Sequence, residues 1–486
     1  MTTGATGATQ DISGTDAYPA SDAPFQIERH GIDIIPDSER HGRPIELFSM
    51  WAGALIGIVD LVIGAVVLSL GLTLWEAVAA VIIGNAVSYV FLGLGAMNGP
   101  AGGTSTITLA RAAFGIRGNA PTNLLSFLTI VGWEGVNAVV GVLALIALFT
   151  VIGLDGTNGL VKLLAIAVFM ALMVIWAVFG HATLVIINRI LLIAVGLSML
   201  GVLFFGFQHV DWNYVPTTPL AGSNTLTTFV LGIMIAAAAN GFGFMNMPAD
   251  YSRYLPKSVN RRQVALWTGL GAFVPATLFN VAGVFIGTKL DAFDPIGSLQ
   301  AVVPGWFLVP FLVIAIASMV AANTVNTYSS GLNLLALGLK MERYKTVVVD
   351  AVLATAFVLY ALFVYNFVGT LENFLALMIW WIAPWSGIYL VDMALKKFNY
   401  KSEDLVRSSG GIYWFSNGVN WNAITALIAG AVAAALFTNA TFFVSPIVSG
   451  PLGGMDLSIP AGLIVGGGLY YLLEARRKPA PELGVG

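Results

Sequence analysis

Long apolar runs separated by short polar connections make up the chain from residue 47 to residue 475. Twelve of these runs, numbered here span 1 to span 12, reach the length of about 20 apolar residues that a bilayer-crossing helix needs. They are residues 47–72, 75–97, 122–152, 160–179, 183–207, 226–249, 264–288, 305–338, 347–368, 371–394, 419–440 and 457–475. The pattern predicts an all-α polytopic membrane protein with 12 transmembrane helices.

Glycines interrupt two of the spans. Span 6 runs into the stretch NGFGF, which contains Gly241 and Gly243, and span 1 contains Gly53 and Gly57. Unwound backbone at membrane depth is tolerated only where it is buried in protein or lines a wet cavity. Broken helices of this kind build substrate and ion sites in secondary transporters. A glycine-rich packing surface between helices is the alternative interpretation.

The two interrupted spans occupy matching places in the chain. Each opens a set of five spans, 47–207 and 226–394, and because five is odd the second set enters the membrane from the opposite side. This order predicts a core of five plus five inverted repeats over residues 47–394. The other predicted units are a cytoplasmic arm (1–46, disordered over 1–24), two peripheral helices (395–475) and a cytoplasmic tail (476–486).

Composition and charge agree with a membrane protein and exclude several functions. Of 486 residues, 57% are hydrophobic and 10% are charged, and the mean hydropathy is +0.85; soluble domains carry about 25% charged residues. A net charge of −3 gives no reason to expect a nucleic-acid partner. There is no Cys to form a disulfide or a thiolate site, and the four His are scattered. We therefore expect no enzyme, no cofactor and no firmly assigned metal site.

The distribution of Lys and Arg predicts the orientation, because cytoplasmic loops carry an excess of both. In the 12-span arrangement, all 22 basic residues except Lys162 and Lys289 fall on one side. Both termini are therefore predicted to be cytoplasmic, in a multi-pass protein of the plasma membrane.

Two carboxyl groups fall at mid-membrane depth. With a rise of 1.5 Å per residue, Asp60 lies about 20 Å into span 1, and Glu134 is placed at a similar depth in span 3. An intramembrane carboxyl group is a functional-site hypothesis by default. A protonated or paired structural role is the alternative for Asp60.

Spans 3 and 8 carry polar side chains on defined faces. In the element GWEGVN, Trp133 and Asn137 are four residues apart and share one helical face. A flat aromatic surface beside an amide suits a planar ligand with hydrogen-bonding edges, although an interhelical amide contact would need the same residues. Span 8 carries one polar stripe that must face the bundle or a cavity, formed by Asn323, Asn326, Ser330 and Asn333.

At these elements the chain resembles the nucleobase:cation symporter family, and in particular its purine–cytosine permease branch. The resemblance covers nearly the whole length, and its motifs are specific when taken together. They are IDIIPDSERHGRPIELFSMW before and into span 1, GWEGVN in span 3, PADYSRY after span 6, NTVNTYSSGLN in span 8 and NFLALMIWWIAPWSGIYLVD in span 10.

The resemblance implies a fold of five plus five inverted repeats with two added helices, and a planar nitrogen heterocycle as substrate. It implies that Trp133 stacks on the base, that Asn137 reads its edge, and that Asn326 hydrogen-bonds it. Phe244, or with less support Phe242, takes the place of the aromatic residue on the other face.

Backbone at the two breaks is implied to be exposed to the substrate. The segments concerned are Gly53 and Ala54 in span 1 and Gly241 to Gly243 in span 6.

The coupling cation is where the chain departs from the family pattern. Sodium-coupled members tend to place hydroxyl groups on span 8, whereas residues 319–321 here are Met, Val and Ala. Only Ser318, Asn323 and Thr324 are polar nearby, while Asp60 and Glu134 can be titrated. We therefore expect H⁺ rather than Na⁺ to be coupled. Of these residues, Asp60, Glu134, Asn323 and Thr324 are the coupling candidates.

The sequence thus predicts a secondary active symporter that takes up a nucleobase of the cytosine or purine type, with a cation, by alternating access. Its partners are the base, the cation and the lipid bilayer. The alternatives are a symporter of the same fold for allantoin or a hydantoin, a vitamin precursor or an amino acid, and, from another class, a channel. The identity of the base and the oligomeric state stay open.

Overall fold

The computed structural model describes residues 33–476, except 179–180, 292–293, 295 and 338–342. The segment 1–24, which the sequence predicts to be disordered, and all but the first residue of the predicted tail lie outside the described residues.

The described chain is almost entirely helical. The α-helices are α1 (Glu46–Ala54), α2 (Ile58–Ser69), α3 (Leu74–Ala96), α4 (Gly99–Gly102), α5 (Thr106–Leu109), α6 (Arg111–Phe114), α7 (Ala120–Val151), α8 (Gly159–Val178), α9 (His181–Phe207), α10 (Thr225–Ala239), α11 (Pro248–Ser252), α12 (Arg261–Gly287), α13 (Gly305–Ala336), α14 (Arg343–Leu359), α15 (Phe367–Lys396), α16 (Ser402–Val406), α17 (Trp421–Leu436), α18 (Pro446–Ser449) and α19 (Ser458–Glu474). Short 3₁₀ segments (Asp37–Glu39, Gly241–Phe244, Gly297–Ala301), one π-helical turn (Tyr360–Val364) and a hairpin of β1 (Asn439–Ala440) and β2 (Phe443–Val444) complete the described structure.

Many of these helices are long and apolar enough to cross a bilayer. Eight pass that test within the described residues, and the bent pair α1 and α2 makes a ninth span if it is counted as one. Each of the twelve predicted spans overlaps at least one helix. The helical, membrane-spanning class is therefore confirmed, while the count of 12 spans and the two-repeat layout stay predictions.

Both glycine-interrupted spans are broken. Helix α1 ends at Ala54 and α2 begins at Ile58, with a bend of 67° between them. Helix α10 ends at Ala239, and Asn240 then adopts φ −108° and ψ −113°, which no helix uses. A 3₁₀ turn over Gly241–Phe244 and the short helix α11 follow. Span 6 is thus not continuous to residue 249.

The two breaks are held beside α12, which packs along α1, α2 and α3. The contact with α2 is a close approach of two backbones, because a Cβ atom on Gly64 would lie 2.8 Å from the backbone nitrogen of Val284. Small residues allow such approaches between membrane helices. As a result, Asn280 on α12 reaches the peptide and side chain of Asp60.

The described part of the N-terminal arm is docked on the bundle. The backbone N–H of Ile35 donates to the Gly103 carbonyl at 2.8 Å. The Arg40 side chain is 2% exposed and donates to the carbonyls of Ile35, at 3.0 Å, and Pro100, at 2.9 Å. The arm thereby fixes the connection between α3 and α7.

Helices α17 and α19 pack against each other and against α15. The sequence places Asp392 near the end of span 10, where we expect solvation or a cap. The structure instead buries Asp392, which accepts from Tyr470 at 2.7 Å and pairs with Lys396.

Candidate functional site

A cavity of about 280 Å³ lies where the two broken helices meet α7, α9 and α13. This volume is just below the range of about 300–1,000 Å³ that is typical of small-molecule sites. Its lining is mainly apolar, with a few polar side chains. The cavity is therefore suited to a small, flat ligand with a limited number of hydrogen-bonding groups.

The cavity brings together most of the residues that the sequence singled out. Those that line it are Gly53, Ala54, Asp60, Trp133, Asn137, Phe244 and Asn326. Those that do not line it are Glu134, Gly241, Phe242, Gly243, Asn323 and Thr324.

The indole of Trp133 and the ring of Phe244 face each other across this cavity. Their planes differ by 10° and their centroids are 5.8 Å apart. A ring inserted between them needs two stacking distances of about 3.5 Å each, or roughly 7 Å in total. A base can therefore enter between the two rings only if their separation grows.

Neighbouring side chains limit how the Trp133 ring can move. Phe374 meets it edge-on at 5.4 Å and 87°. Gly243 lies against the ring, since a Cβ atom there would be 2.8 Å from Trp133 Cζ2. The buried Trp133 Nε1 has no hydrogen-bond partner in the described part of the chain.

Two further aromatic residues extend this wall. Trp51 meets Phe244 edge-on at 6.1 Å and Tyr251 at 5.3 Å, and both Trp51 and Tyr251 line the cavity. Neither residue was among the predicted site residues. Their positions offered a signal, because Trp51 lies two residues before Gly53 and Tyr251 belongs to the PADYSRY motif.

The amides of the site come from α7 and α13. Asn137 Nδ2 donates to Asn323 Oδ1 at 3.1 Å, and Asn323 Nδ2 donates to the Glu134 carbonyl at 3.0 Å. With its nitrogen directed to Asn323, Asn137 can offer its carbonyl oxygen to a ligand N–H. Asn326 lies one turn further along α13, in the cavity wall. Of the predicted polar stripe, Asn326 therefore lines the cavity and Asn323 lies at the α7 interface.

Asp60 is 7% exposed and forms part of a polar network that joins both breaks. Asn280 Nδ2 donates to Asp60 Oδ1 and to the Asp60 carbonyl, each at 3.1 Å. Asn280 Oδ1 accepts from Asn240 Nδ2 at 3.0 Å and from Asn85 Nδ2 at 3.3 Å. Tyr89 donates to Asn240 Oδ1 at 3.1 Å. One amide on α12 therefore bonds to the residues at both helix breaks.

The remaining predicted residues of the span 6 break pack into the protein. Phe242 is fully buried, and its ring lies 5.3 Å from that of Phe91. The Gly241 N–H donates to Ser88 Oγ on α3 at 3.2 Å. The structure thus places Phe244, and not Phe242, at the cavity, and it satisfies the freed backbone of Gly241 within the bundle.

Three of the four coupling candidates lie outside the cavity lining. Glu134 and Asn323 are fully buried between α7 and α13. The Thr324 hydroxyl donates to the Val320 carbonyl of its own helix at 3.0 Å. No group of three or more His, Asp or Glu side chains that could hold a metal occurs among the described residues.

A family model described as "Permease for cytosine/purines, uracil, thiamine, allantoin" matches residues 34–462. The chain belongs to this family. The resemblance to the nucleobase:cation symporters is therefore confirmed, and the permease is a transporter and not an enzyme.

Individual relatives and solved structures agree with this assignment. YxlA of Bacillus subtilis, named as a purine-cytosine permease, is 27% identical over 463 residues, which cover 93% of this chain and 97% of the relative. The cytosine permease of Escherichia coli K12 is 26% identical over 431 residues, covering 87% and 86%. The inward-facing structure of Mhp1, of the nucleobase-cation-symport-1 family, matches with a TM-score of 0.71 at 20% identity, covering 92% and 94%. This last likeness establishes the fold of the permease.

Proposed function

We propose that the permease is a secondary active symporter that takes up a nucleobase or a related planar heterocycle together with a cation. The observation that carries this proposal is the cavity at the two helix breaks, where parallel Trp133 and Phe244 rings lie beside the amides of Asn137 and Asn326. Stacking surfaces and amides are the two kinds of group that recognise a base.

Stacking on the base and hydrogen bonding to its edge contribute separately to the free energy of binding. A base stacked on an aromatic side chain contributes about 1–3 kcal/mol. An amide left unpaired in a dry site costs about 1–3 kcal/mol, which penalises ligands of the wrong hydrogen-bonding pattern. In the proposed cycle, the base stacks on Trp133 while Asn137 and Asn326 bond its edge. Phe244 first moves away from Trp133 to admit the base, and its contact with the other face then accompanies the change from outward-open to inward-open.

The break in the first span adds backbone acceptors. The last carbonyl groups of a helix have no partner within that helix. Gly53 and Ala54 end α1 and line the cavity. Their carbonyls are therefore positioned to accept from ring N–H groups or to contact a cation.

We favour a proton over sodium as the coupled cation. Sodium is a hard cation that prefers several oxygen ligands. On the face of α13 that lines the cavity, Ser318 and Asn326 carry side-chain oxygens, whereas Met319, Ala321 and Ala322 carry none, and the Thr324 hydroxyl is directed to its own helix. Asp60 provides a titratable group in the cavity wall. Asp60 and Glu134 are the proposed proton carriers, with the permease in the plasma membrane and both termini in the cytoplasm.

A second candidate function is transport of a different planar solute by the same site. The family description includes thiamine and allantoin, and the hydantoin permease of Microbacterium maritypicum is 25% identical over 443 residues. Hydantoins and allantoin carry amide edges like those of pyrimidines. The same stacking and amide groups would therefore recognise them.

Uptake by purified protein in liposomes tests the proposal. Labelled cytosine is offered under a pH gradient, a sodium gradient or neither, with adenine, hypoxanthine, uracil and allantoin as competitors. We expect saturable accumulation driven by the pH gradient. Flux that only equilibrates across the membrane would indicate a channel, and accumulation driven by sodium alone would refute proton coupling.

Substitution of Trp133 tests the site itself. Trp133→Ala should abolish accumulation while the protein stays folded, because the stacking surface is lost. Trp306→Ala is the matched control, since Trp306 is 72% exposed and lies outside the cavity lining. Transport by Trp133→Ala at the rate of the control would refute the stacking role.

A further inference from the structure

Two buried carboxyl groups lie close to α13, outside the cavity lining, one on α7 and one on α14. Glu134 on α7 and Asp350 on α14 are both fully buried. Thr327 Oγ1 on α13 contacts Glu134 Oε1 at 3.2 Å, and Ser330 Oγ, one turn further along, contacts Asp350 Oδ2 at 2.5 Å. The other carboxyl oxygens, Glu134 Oε2 and Asp350 Oδ1, have no hydrogen-bond partner among the described residues.

The number of protons at the two hydroxyls does not match the number of acceptors around them. Thr327 Oγ1 also lies 2.8 Å from the Asn323 carbonyl, and Ser330 Oγ lies 2.9 Å from the Thr327 carbonyl. A hydroxyl has one proton to donate. If each hydroxyl donates to the carbonyl of its own helix, the carboxyl group must supply the proton of the remaining contact. The geometry therefore suits protonated carboxyl groups at both contacts.

Among the described ion pairs, none involves Glu134 or Asp350. Asp350, the other carboxyl group in this hydroxyl-bridged cluster, has the same sign as Glu134 when both are ionised. Two carboxyl groups that sense each other in a dry site resist joint ionisation. Of the titratable groups on the other helices packed against α7, Lys162 lines a cavity with Asp294, Glu372 lines a cavity beside the β-hairpin, and Asp392 pairs with Lys396.

The pair is connected to the cavity by hydrogen bonds. The Asn323 carbonyl accepts from Thr327, and the Asn323 side chain bridges Asn137 to the Glu134 carbonyl. If Glu134 loses its proton, it becomes an acceptor only and competes with the Asn323 carbonyl for the Thr327 proton. The position of Asn323, and through it the amide of Asn137, is thereby tied to the proton on Glu134.

We propose that Glu134 and Asp350, bridged by Thr327 and Ser330, form a proton-binding site that couples to the substrate cavity through Asn323 and Asn137. This proposal rests on the symport function proposed above and adds Asp350, which no sequence motif indicated. In it, both carboxyl groups are protonated in the substrate-bound state, and one proton is released when Asn137 no longer bonds the base.

Transport by reconstituted full-length protein tests the coupling. In Asp350→Asn and Glu134→Gln, accumulation driven by a pH gradient should fall by about tenfold or more, while exchange of labelled for unlabelled cytosine continues. The apparent Kd of the unmodified protein should rise by about tenfold per pH unit above the loading range, and this slope should flatten in both variants. Thr355→Ala is the matched control on α14, because its hydroxyl donates to the Ala351 carbonyl of the same helix.

Infrared titration provides a readout that needs no substrate. The unmodified protein should show a carboxylic-acid C=O band that disappears at high pH, and Asp350→Asn should lack part of it. If neither neutral variant folds, Ser330→Ala retains both carboxyl groups and should shift the pH at which the band disappears.

The outcomes separate this proposal from the symport function. A folded Asp350→Asn variant with unchanged pH-driven accumulation and an unchanged infrared band would overturn the proton site. A Ser330→Ala variant without a shift would do the same. A band lost in the variants of a protein that accumulates no base would support the proton site and refute the symport function.

Discussion

The substitution Gly243→Ala tests whether the Trp133 ring, in the position described, sets the affinity for substrate. The added Cβ atom would lie 2.8 Å from Trp133 Cζ2 and 3.0 Å from the Ala238 carbonyl oxygen. Carbon atoms pack at about 3.5–4.0 Å, so the ring must shift by roughly 0.7–1.2 Å. It cannot retreat freely, because Phe374 lies edge-on against it.

The overlap between the added Cβ atom and the Trp133 ring determines the expected loss of free energy. Overpacking of this kind typically costs about 1–3 kcal/mol. If the displaced Trp133 ring stacks less well on the base by this amount, the Kd for the base should rise by roughly 5- to 150-fold, at 1.4 kcal/mol for each factor of ten. The assay is equilibrium binding of labelled cytosine to the purified protein, with Tm measured in parallel.

Two comparisons make the result specific. Gly468→Ala is a matched helical control, because a Cβ atom at Gly468 meets nothing within 4 Å. Trp133→Phe removes the part of the indole that carries Cζ2. Gly243→Ala should therefore raise the Kd much less in the Trp133→Phe background than in the unmodified protein. Wild-type affinity and Tm for Gly243→Ala alone would show that the ring does not sit where binding requires it.

Three further substitutions test other groups of the site. Asn326→Ala should raise the apparent substrate constant in initial-rate uptake by about tenfold, since a lost amide pairing is worth about 1–3 kcal/mol; an unchanged constant would show that Asn326 does not bind the base. Asn280→Leu removes the amide that donates to Asp60 and should lower the Tm measured in a thermal melt, at a cost of about 1–3 kcal/mol; a wild-type Tm would contradict the network. Asp60→Asn should lose accumulation driven by a pH gradient, and its retention would remove Asp60 as a proton carrier and leave the Glu134 and Asp350 pair.

The helices and their breaks could be predicted because both depend on local pattern. Runs of about 20 apolar residues mark spans, and the glycines of NGFGF mark the place where α10 ends. The positions of Trp133 and Asn137 on one face also follow from helical periodicity, and both line the cavity.

Which face of a helix meets which neighbour could not be predicted. Asn323 and Asn326 are three residues apart on α13, yet Asn323 bonds to α7 while Asn326 lines the cavity. The same limit applies to Phe242 and Phe244. The winding of the 3₁₀ turn puts their rings on different sides, and sequence does not specify that winding.

Polar pairs between residues far apart in the chain could not be predicted. Asp60 and Asn280 are 220 residues apart, and Ser330 and Asp350 belong to different helices. A signal was present, because Asn85, Asn280 and Asp350 are isolated polar residues in apolar runs. That pattern indicates function or pairing, but it does not identify the partner.

Asn280 bonds through both the nitrogen and the oxygen of its side chain, which restricts the substitutions that related transporters can accept. Its nitrogen and its oxygen are both occupied, by Asp60 on one side and by Asn240 and Asn85 on the other. An aspartate there would present acceptors only, and a lysine would present donors only. We therefore expect exchanges at these positions to be accepted in matched sets, so that a related transporter with a different residue at one of them carries a compensating residue at another.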